Sequence, residues 1–115
     1  MQLRLENSHN QNAIKHYQAG AIQINDRTYG YDLIITAACV EAWTNTLPDL
    51  DQLIKHKPDI ILLGTGDTMK FPDTGLLLEI QQQGIGIEVM TTAAACRTFN
   101  VLLSEDRNVL AALKV

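Results

Sequence analysis

The stretch DIILLGTGD, at residues 59–67, decides the fold. Residues 59–63 form a run that is too short for a helix and too apolar for a strand with one solvated face, which is typical of an interior strand covered on both sides. Residues 85–90, IGIEVM, predict a second buried strand. Residues 72–84 between them predict a helix, with a proline–aspartate pair at its start and a glycine at its end. Strands joined in this way are parallel with a right-handed crossover, so the unit predicts an α/β fold.

The first third of the chain reads as β structure. Residues 21–24 and 28–36 predict the two strands of a hairpin around Asn25 and Asp26, which tolerate the positive φ of a tight turn. Apolar residues alternate along the second strand, so one of its faces is expected to be buried. Leucines alternate with charged neighbours at residues 3–5 and predict a short edge strand.

Two more helices and a last strand complete the pattern. Residues 47–54 have the apolar spacing of one helix face, with Pro48 in the first turn and the basic residues 55–57 in the last. A third helix, capped by Thr91 or Thr92, carries an apolar stripe. The stripe residues are Ala95, Phe99 and Leu102. Residues 109–115 alternate as a closing strand, although a helix that continues through Leu113 is the competing interpretation. Together the elements predict a single three-layer α/β domain with a mixed central sheet, an N-terminal β-hairpin and a parallel βαβ unit.

Composition narrows the classes of function. A chain of 115 residues is long enough for one core, and 46% hydrophobic residues with a formal charge of −4 indicate a globular chain and argue against a nucleic-acid binder. No apolar run approaches the roughly 20 residues of a membrane span. Residues 1–12 lack a signal-peptide pattern, which predicts a cytoplasmic protein. Cys39 and Cys96 form neither a disulfide framework nor a metal motif, so we expect reduced, partly buried thiols and no metal or cofactor.

Several short stretches together resemble one known family. They are residues 17–20 leading into 22–24, 33–36, 62–66, 84–91, 94–102, and Glu105 with Arg107. Their order and spacing are similar to those of a small domain-of-unknown-function family that includes human adipogenesis-associated and mitochondrial complex I assembly-factor members. The resemblance implies a compact α/β fold with a mixed sheet, no established enzyme activity, and a bacterial-type member without a targeting extension. In the mitochondrial members it implies a protein-binding assembly role.

The loop after the first buried strand and the turn after the second are the candidate binding elements. Glycines permit close backbone approach to a ligand, and a helix N-terminus favours an anion. Parallel neighbouring strands end at the same edge of a sheet, where ligands of open α/β sheets bind. The candidate residues are Gly64, Thr65, Gly66, Asp67, Thr91, Thr92 and Arg97. The alternatives left open are that the glycines only let the chain leave the sheet and that Thr91 or Thr92 only caps the helix.

The remaining thiol and charged residues are better explained by structural roles than by catalysis. Cys96 lies early in the third helix, where the helix dipole can lower a thiol pKa, but a nucleophile also needs a partnering base. Glu88 is a charge in an apolar strand and must reach solvent or a cation, so a structural ion pair with Arg97 or Arg107 is expected. Glu105 and Arg107 are expected to organise the turn before the last strand. No catalytic residue is therefore predicted.

These observations favour a non-catalytic module that binds an unidentified protein partner or assists an assembly. The alternative is a small-anion or small-molecule binding protein, or an enzyme, that uses the edge formed by residues 64–67 and 91–92. A homodimer formed through a hairpin strand edge is also consistent with the pattern.

Overall fold

The computed structural model describes residues 11–44 and 49–115. It contains eight strands and three helices in these ranges, and the predicted residues 3–5, 47 and 48 lie outside them. In chain order the elements are β1 (Ile14–Gln18), β2 (Ala21–Ile24), β3 (Arg27–Tyr29), β4 (Leu33–Ile35), β5 (Val40–Ala42), α1 (Leu50–Ile54), β6 (Ile60–Gly64), α2 (Thr74–Gln82), β7 (Gly86–Met90), α3 (Thr92–Ser104) and β8 (Val109–Leu113).

A five-stranded mixed sheet forms the centre, with strand order β5-β4-β8-β6-β7. β6 pairs in parallel with both β7 and β8, whereas β4 pairs antiparallel with β5 and β8. The predicted mixed sheet and the parallel unit β6–α2–β7 are therefore confirmed. Residues 109–113 form a strand that lies between β4 and β6 at the centre of the sheet, and all five of its residues are buried.

Both faces of the mixed sheet are covered. On one face, α3 and strands β1 and β2 bury Phe99, Ile22 and Ile24 against β4, β6 and β8. On the other face, α1 and α2 contribute Leu53 and Ile80 to a second core cluster. This arrangement explains why β6 and β8 are apolar at successive positions, since their side chains meet a packed layer in either direction.

The predicted hairpin is confirmed at its turn and wrong in its second strand. Asn25 has φ 56°, the left-handed conformation that the turn requires. The strand expected over residues 28–36 is instead divided into β3 and β4, which belong to different sheets, because the chain turns at residues 30–32. β1, β2 and β3 form a separate antiparallel sheet. The alternation of apolar residues in the sequence runs across that break, from the largely exposed β3 to the buried β4.

Two further predictions need correction, and two strands were missed. The strand predicted at residues 85–90 is not buried on both faces, because β7 is an edge strand of the mixed sheet. The basic residues 55–57 follow α1 instead of forming its last turn, since the helix ends at Ile54 and Lys57 takes φ 52°. β1 and β5 were not predicted. The bounds of β2, β6, β7, β8 and α2 lie within two residues of those predicted. Asp73, predicted at the start of α2, caps it by accepting the Gly75 N–H.

Candidate functional site

The loop after β6 and the start of α3 lie side by side, as the parallel pairing of β6 and β7 predicts. The Thr65 N–H donates to the Met90 carbonyl at 2.9 Å. The Gly66 N–H donates to Thr92 Oγ1 at 2.8 Å, and the Thr92 N–H donates back to the Gly66 carbonyl at 3.0 Å. The two loops therefore contact each other directly through paired backbone groups.

Thr92 fills the space between the loops. Its side chain is fully buried, and its hydroxyl donates to the Lys114 carbonyl at 2.7 Å while accepting the Gly66 N–H. Thr91 is the cap of α3, since its Oγ1 accepts the Ala94 N–H at 3.3 Å. Two donors that could have held an anion, the Thr65 and Gly66 N–H groups, thus already have partners within the protein.

Gly64 lies beneath this contact, where there is no room for a side chain. A Cβ at this position would lie 2.9 Å from Leu113 Cδ2 and 3.0 Å from Thr92 Cα. The absent side chain lets β6, β8 and α3 converge at one point. Gly66 is required by conformation instead, because its φ is +100°.

The predicted ligand-binding residues do not enclose one common cavity. Gly64 and Thr65 line a cavity of about 240 Å³ at the carboxyl end of β6, which we call the carboxyl-edge cavity. Its other lining residues are Trp43, Leu63, Lys70, Phe71, Pro72 and Lys114. Arg97 lines a different one, of about 250 Å³, between β1 and α3, which we call the β1–α3 groove. Asp67 is exposed on the loop, and Thr91 and Thr92 have the structural roles described above.

Sequence reasoning missed the aromatic walls of the carboxyl-edge cavity. Trp43 follows β5, and its Nε1 donates to the Leu33 carbonyl at 2.9 Å, which fixes the indole ring. Phe71 lies on the loop between β6 and α2 and is 72% exposed, and Met69 on the same loop is 50% exposed. Two large apolar side chains in a turn-rich segment were the signal that could have indicated this surface.

The two thiols differ from the prediction and from each other. Cys39 is exposed, although it was expected to be partly buried. Cys96 is buried and lines the β1–α3 groove. Burial raises the pKa of Cys96 to about 11, although the nearby Arg97 charge lowers it. A thiol with so high a pKa is almost entirely protonated at neutral pH, which argues against a nucleophile.

The expected ion pair of Glu88 is not formed. Glu88 is exposed on the edge strand β7, so its carboxylate reaches water and needs no cation. The ion pairs of the described residues centre on Glu41 instead, where Oε1 lies 3.2 Å from Lys55 Nζ and 3.5 Å from His56 Nε2. Burial opposes the charge of Glu41, but hydrogen bonds from Lys55, His56 and Gln52 outweigh it and lower the pKa of Glu41 below its ordinary value.

A family described as "Protein of unknown function (DUF498/DUF598)" matches residues 14–114, which include both cavities and every element described. The chain belongs to this family. Within DUF498/DUF598, the chain is 31% identical to a "13 kDa major membrane protein" of Francisella tularensis, over 83% of this chain and 84% of the relative. Within the described ranges no helix is both long and apolar enough to cross a bilayer.

A second relative carries a functional name. The chain is 32% identical to "NADH dehydrogenase [ubiquinone] 1 alpha subcomplex assembly factor 3" of Xenopus tropicalis, over 87% of this chain but only 59% of the relative. Among solved structures, a Bordetella parapertussis protein superposes with a TM-score of 0.81 at 27% identity, covering 90% of this chain and 95% of that one. The Bordetella parapertussis protein therefore has the same fold as this chain.

Proposed function

We propose that this chain is a non-catalytic, assembly-type module that binds a segment of a partner protein in the carboxyl-edge cavity. The observation that carries the proposal is the exposure of Phe71 beside a cavity walled by Trp43. An aromatic side chain left 72% exposed loses most of the stabilisation that burial gives to a folded chain. Exposed aromatic residues beside a concave surface are typical of the central anchors of protein interfaces.

The walls of the cavity are held before any partner arrives. Trp43 is fixed by its hydrogen bond to the Leu33 carbonyl. The loop that carries Phe71 is fastened at Thr65, whose Oγ1 donates to the Thr68 carbonyl at 2.8 Å and accepts the Lys70 N–H at 3.0 Å. A preformed site loses less conformational entropy on binding, which favours affinity.

Charge and size indicate the chemistry of the occupant. Lys70 and Lys114 line the cavity together with the aromatic walls, and no acidic side chain is among the lining residues. The volume of about 240 Å³ is below the range of roughly 300–1,000 Å³ that is typical of small-molecule pockets, and it suits one or two apolar side chains. The occupant that fits is an apolar side chain followed by carboxylates, on an exposed segment of another protein.

Two further observations support the proposal. A relative in the same family is named as an assembly factor, and an assembly factor acts on other proteins. The buried thiol that could have served as a nucleophile has its pKa raised to about 11. As the chain spans only 59% of that relative, the assembly role is a proposal for this chain and not a property carried over from it.

The single tryptophan of the chain makes the binding test direct, because Trp43 lines the cavity. We expect a blocked peptide with a leucine–phenylalanine pair followed by two acidic residues to change Trp43 fluorescence in a saturable way. The matched peptide with the amides in place of the acids is expected to bind about fivefold more weakly, since two exposed charge pairs contribute modestly. The double variant Lys70→Gln/Lys114→Gln should no longer distinguish the two peptides.

A capture experiment tests the same surface with natural partners. A partner recovered from native lysate by the unchanged chain should be lost from Phe71→Ser and retained by Leu78→Ser, which removes an exposed apolar side chain from α2. Equal recovery by both variants would contradict the proposal, as would a peptide response that Phe71→Ser leaves intact. If small metabolites, and no peptide, raise the melting temperature, the cavity belongs to a small-molecule binding protein instead.

A further inference from the structure

The β1–α3 groove is a second site, separate from the carboxyl-edge cavity. It has a volume of about 250 Å³ and lies between an edge strand of the small sheet and the longest helix. Its lining residues are Ile14, Lys15, His16, Tyr17, Ala93, Cys96, Arg97 and Asn100. Two formal cations and an imidazole are among them, and there is no carboxylate.

A β-bulge explains why neighbouring residues of one strand line the same groove. In a regular strand, successive side chains point to opposite faces, so Lys15 and His16 would diverge. The register of β1 against β2 shifts between Ile14 and His16, and Lys15 has no partner across the ladder. Bulges turn side chains away from the regular alternation and are common beside functional sites. The irregularity lies at the two basic residues of this strand.

Asn100 holds the two walls of the groove together. Its Oδ1 accepts the Ile14 N–H at 3.0 Å, and its Nδ2 donates to the Ile14 carbonyl at 2.7 Å. Both outward backbone groups of Ile14 are therefore satisfied by one side chain of α3. The spacing between the strand that carries Lys15 and the helix that carries Arg97 is consequently fixed.

The positive charge of the groove is uncompensated within the described part of the chain. Neither Lys15 nor Arg97 forms an ion pair there, although the chain has more acidic than basic residues, 13 against 9. Burial raises the pKa of Tyr17, and the charges of Asp67 and Asp32 raise it further, but neither aspartate lines the groove. The side chains of Lys15, His16 and Arg97 are exposed, so their donors are open to an anion from solution.

We propose that the β1–α3 groove binds a phosphate group, with Arg97 as the bidentate ligand and Lys15 and His16 on the opposite wall. The planar guanidinium donates two parallel hydrogen bonds to phosphate oxygens, and the ammonium group supplies a second charge. The volume suits a phosphate with a small substituent and is below that typical of drug-sized ligands. The site is independent of the proposed protein-binding function, because its residues are on other elements.

The test titrates the full chain, labelled with nitrogen-15, with inorganic phosphate at constant ionic strength. We expect the amide signals of Lys15, His16 and Arg97 to shift in a saturable way. Arg97→Gln should weaken phosphate binding at least about tenfold. Arg97→Lys should bind with an affinity between those of the unchanged chain and Arg97→Gln, since lysine keeps the charge but cannot donate two parallel hydrogen bonds. The matched control Arg107→Gln removes the same charge at another exposed position and should bind as the unchanged chain does.

Vesicles distinguish the two sources of a phosphate group. If the group belongs to a lipid headgroup, vesicles with phosphatidylglycerol should sediment the chain, and Arg97→Gln should stay in solution. If it belongs to a free metabolite, the vesicles should leave the chain in solution while inorganic phosphate still binds. Absence of binding in both experiments would overturn the proposal. Equal weakening by Arg97→Gln and Arg107→Gln would overturn it as well, because it would indicate only a general charge effect.

Discussion

Replacing Thr92 with valine tests the contact between the loop after β6 and the start of α3. Valine has nearly the same shape as threonine, so the substitution removes a hydroxyl without opening a cavity. That hydroxyl donates to the Lys114 carbonyl at 2.7 Å and accepts the Gly66 N–H at 2.8 Å. The variant therefore loses two hydrogen bonds and leaves both backbone partners unsatisfied.

The expected loss in free energy of unfolding is about 2–3 kcal/mol. Each hydrogen bond contributes about 1 kcal/mol net, and the unpaired groups add part of their desolvation cost because Thr92 itself is fully buried. This is a large share of the roughly 5–15 kcal/mol that stabilises a typical domain. Thr92→Ser keeps the hydroxyl and should lose only about 1 kcal/mol for the missing methyl group.

Urea unfolding followed by Trp43 fluorescence measures the effect. The matched control is Thr98→Val in the same helix, where the hydroxyl donates only to the Ala94 carbonyl four residues earlier at 2.9 Å. That carbonyl keeps its place in the helix, so the control should change stability by less than about 0.5 kcal/mol. A loss below about 1 kcal/mol for Thr92→Val, or an equal loss for Thr98→Val, would refute the reasoning.

Three other outcomes are expected. Gly64→Ala should destabilise the chain by about 1–3 kcal/mol in the same assay, since its Cβ would meet Leu113 and Thr92. Gly86→Ala should be nearly neutral, because the nearest atom to its added Cβ lies 3.7 Å away. A larger loss for Gly86→Ala than for Gly64→Ala would contradict the packing described. The pKa of Glu41 is lowered in the folded chain, so its contribution to stability is present above the unfolded pKa and is lost as pH falls through the folded pKa. Glu41→Gln should therefore flatten the acid limb of the stability–pH curve. An unchanged acid limb would contradict this. Iodoacetamide at pH 8 should label Cys39 before Cys96, as peptide mapping would show, because Cys96 is buried with a pKa of about 11; faster labelling of Cys96 would indicate an activated thiol.

The parallel unit was predictable because its signals are local. The run at β6 has no polar interruption, Asp73 caps α2, and Gly84 takes the positive φ of 80° that ends it. β1 could not be recognised, since it lies at the edge of the small sheet, only Ile14 in it is buried, and its remaining residues are polar or only half-buried. A strand with little buried surface shows little alternation of apolar and polar residues in its sequence.

The candidate site was predictable in position but not in detail. Parallel strands that end at Gly64 and Met90 bring the two loops to one edge, as the sequence indicates. That the Thr92 hydroxyl fills the space between them depends on close packing against Gly64, where an added Cβ would lie 3.0 Å from Thr92 Cα, and no sequence spacing reveals this. The aromatic wall was missed for a similar reason, since Trp43 reaches the loop only through the register of β5 on β4.

The central position of β8 has a consequence for synthesis on the ribosome. β4 and β6 are joined only through β8, yet β8 is the last of the described strands to be translated. At about 5–20 residues per second, β4 pairs with β5 early but waits several seconds for β8, its partner on the other side. During this interval the nascent chain exposes unpaired apolar edges, so a chaperone that shields such edges would have its main opportunity before Leu113 leaves the exit tunnel.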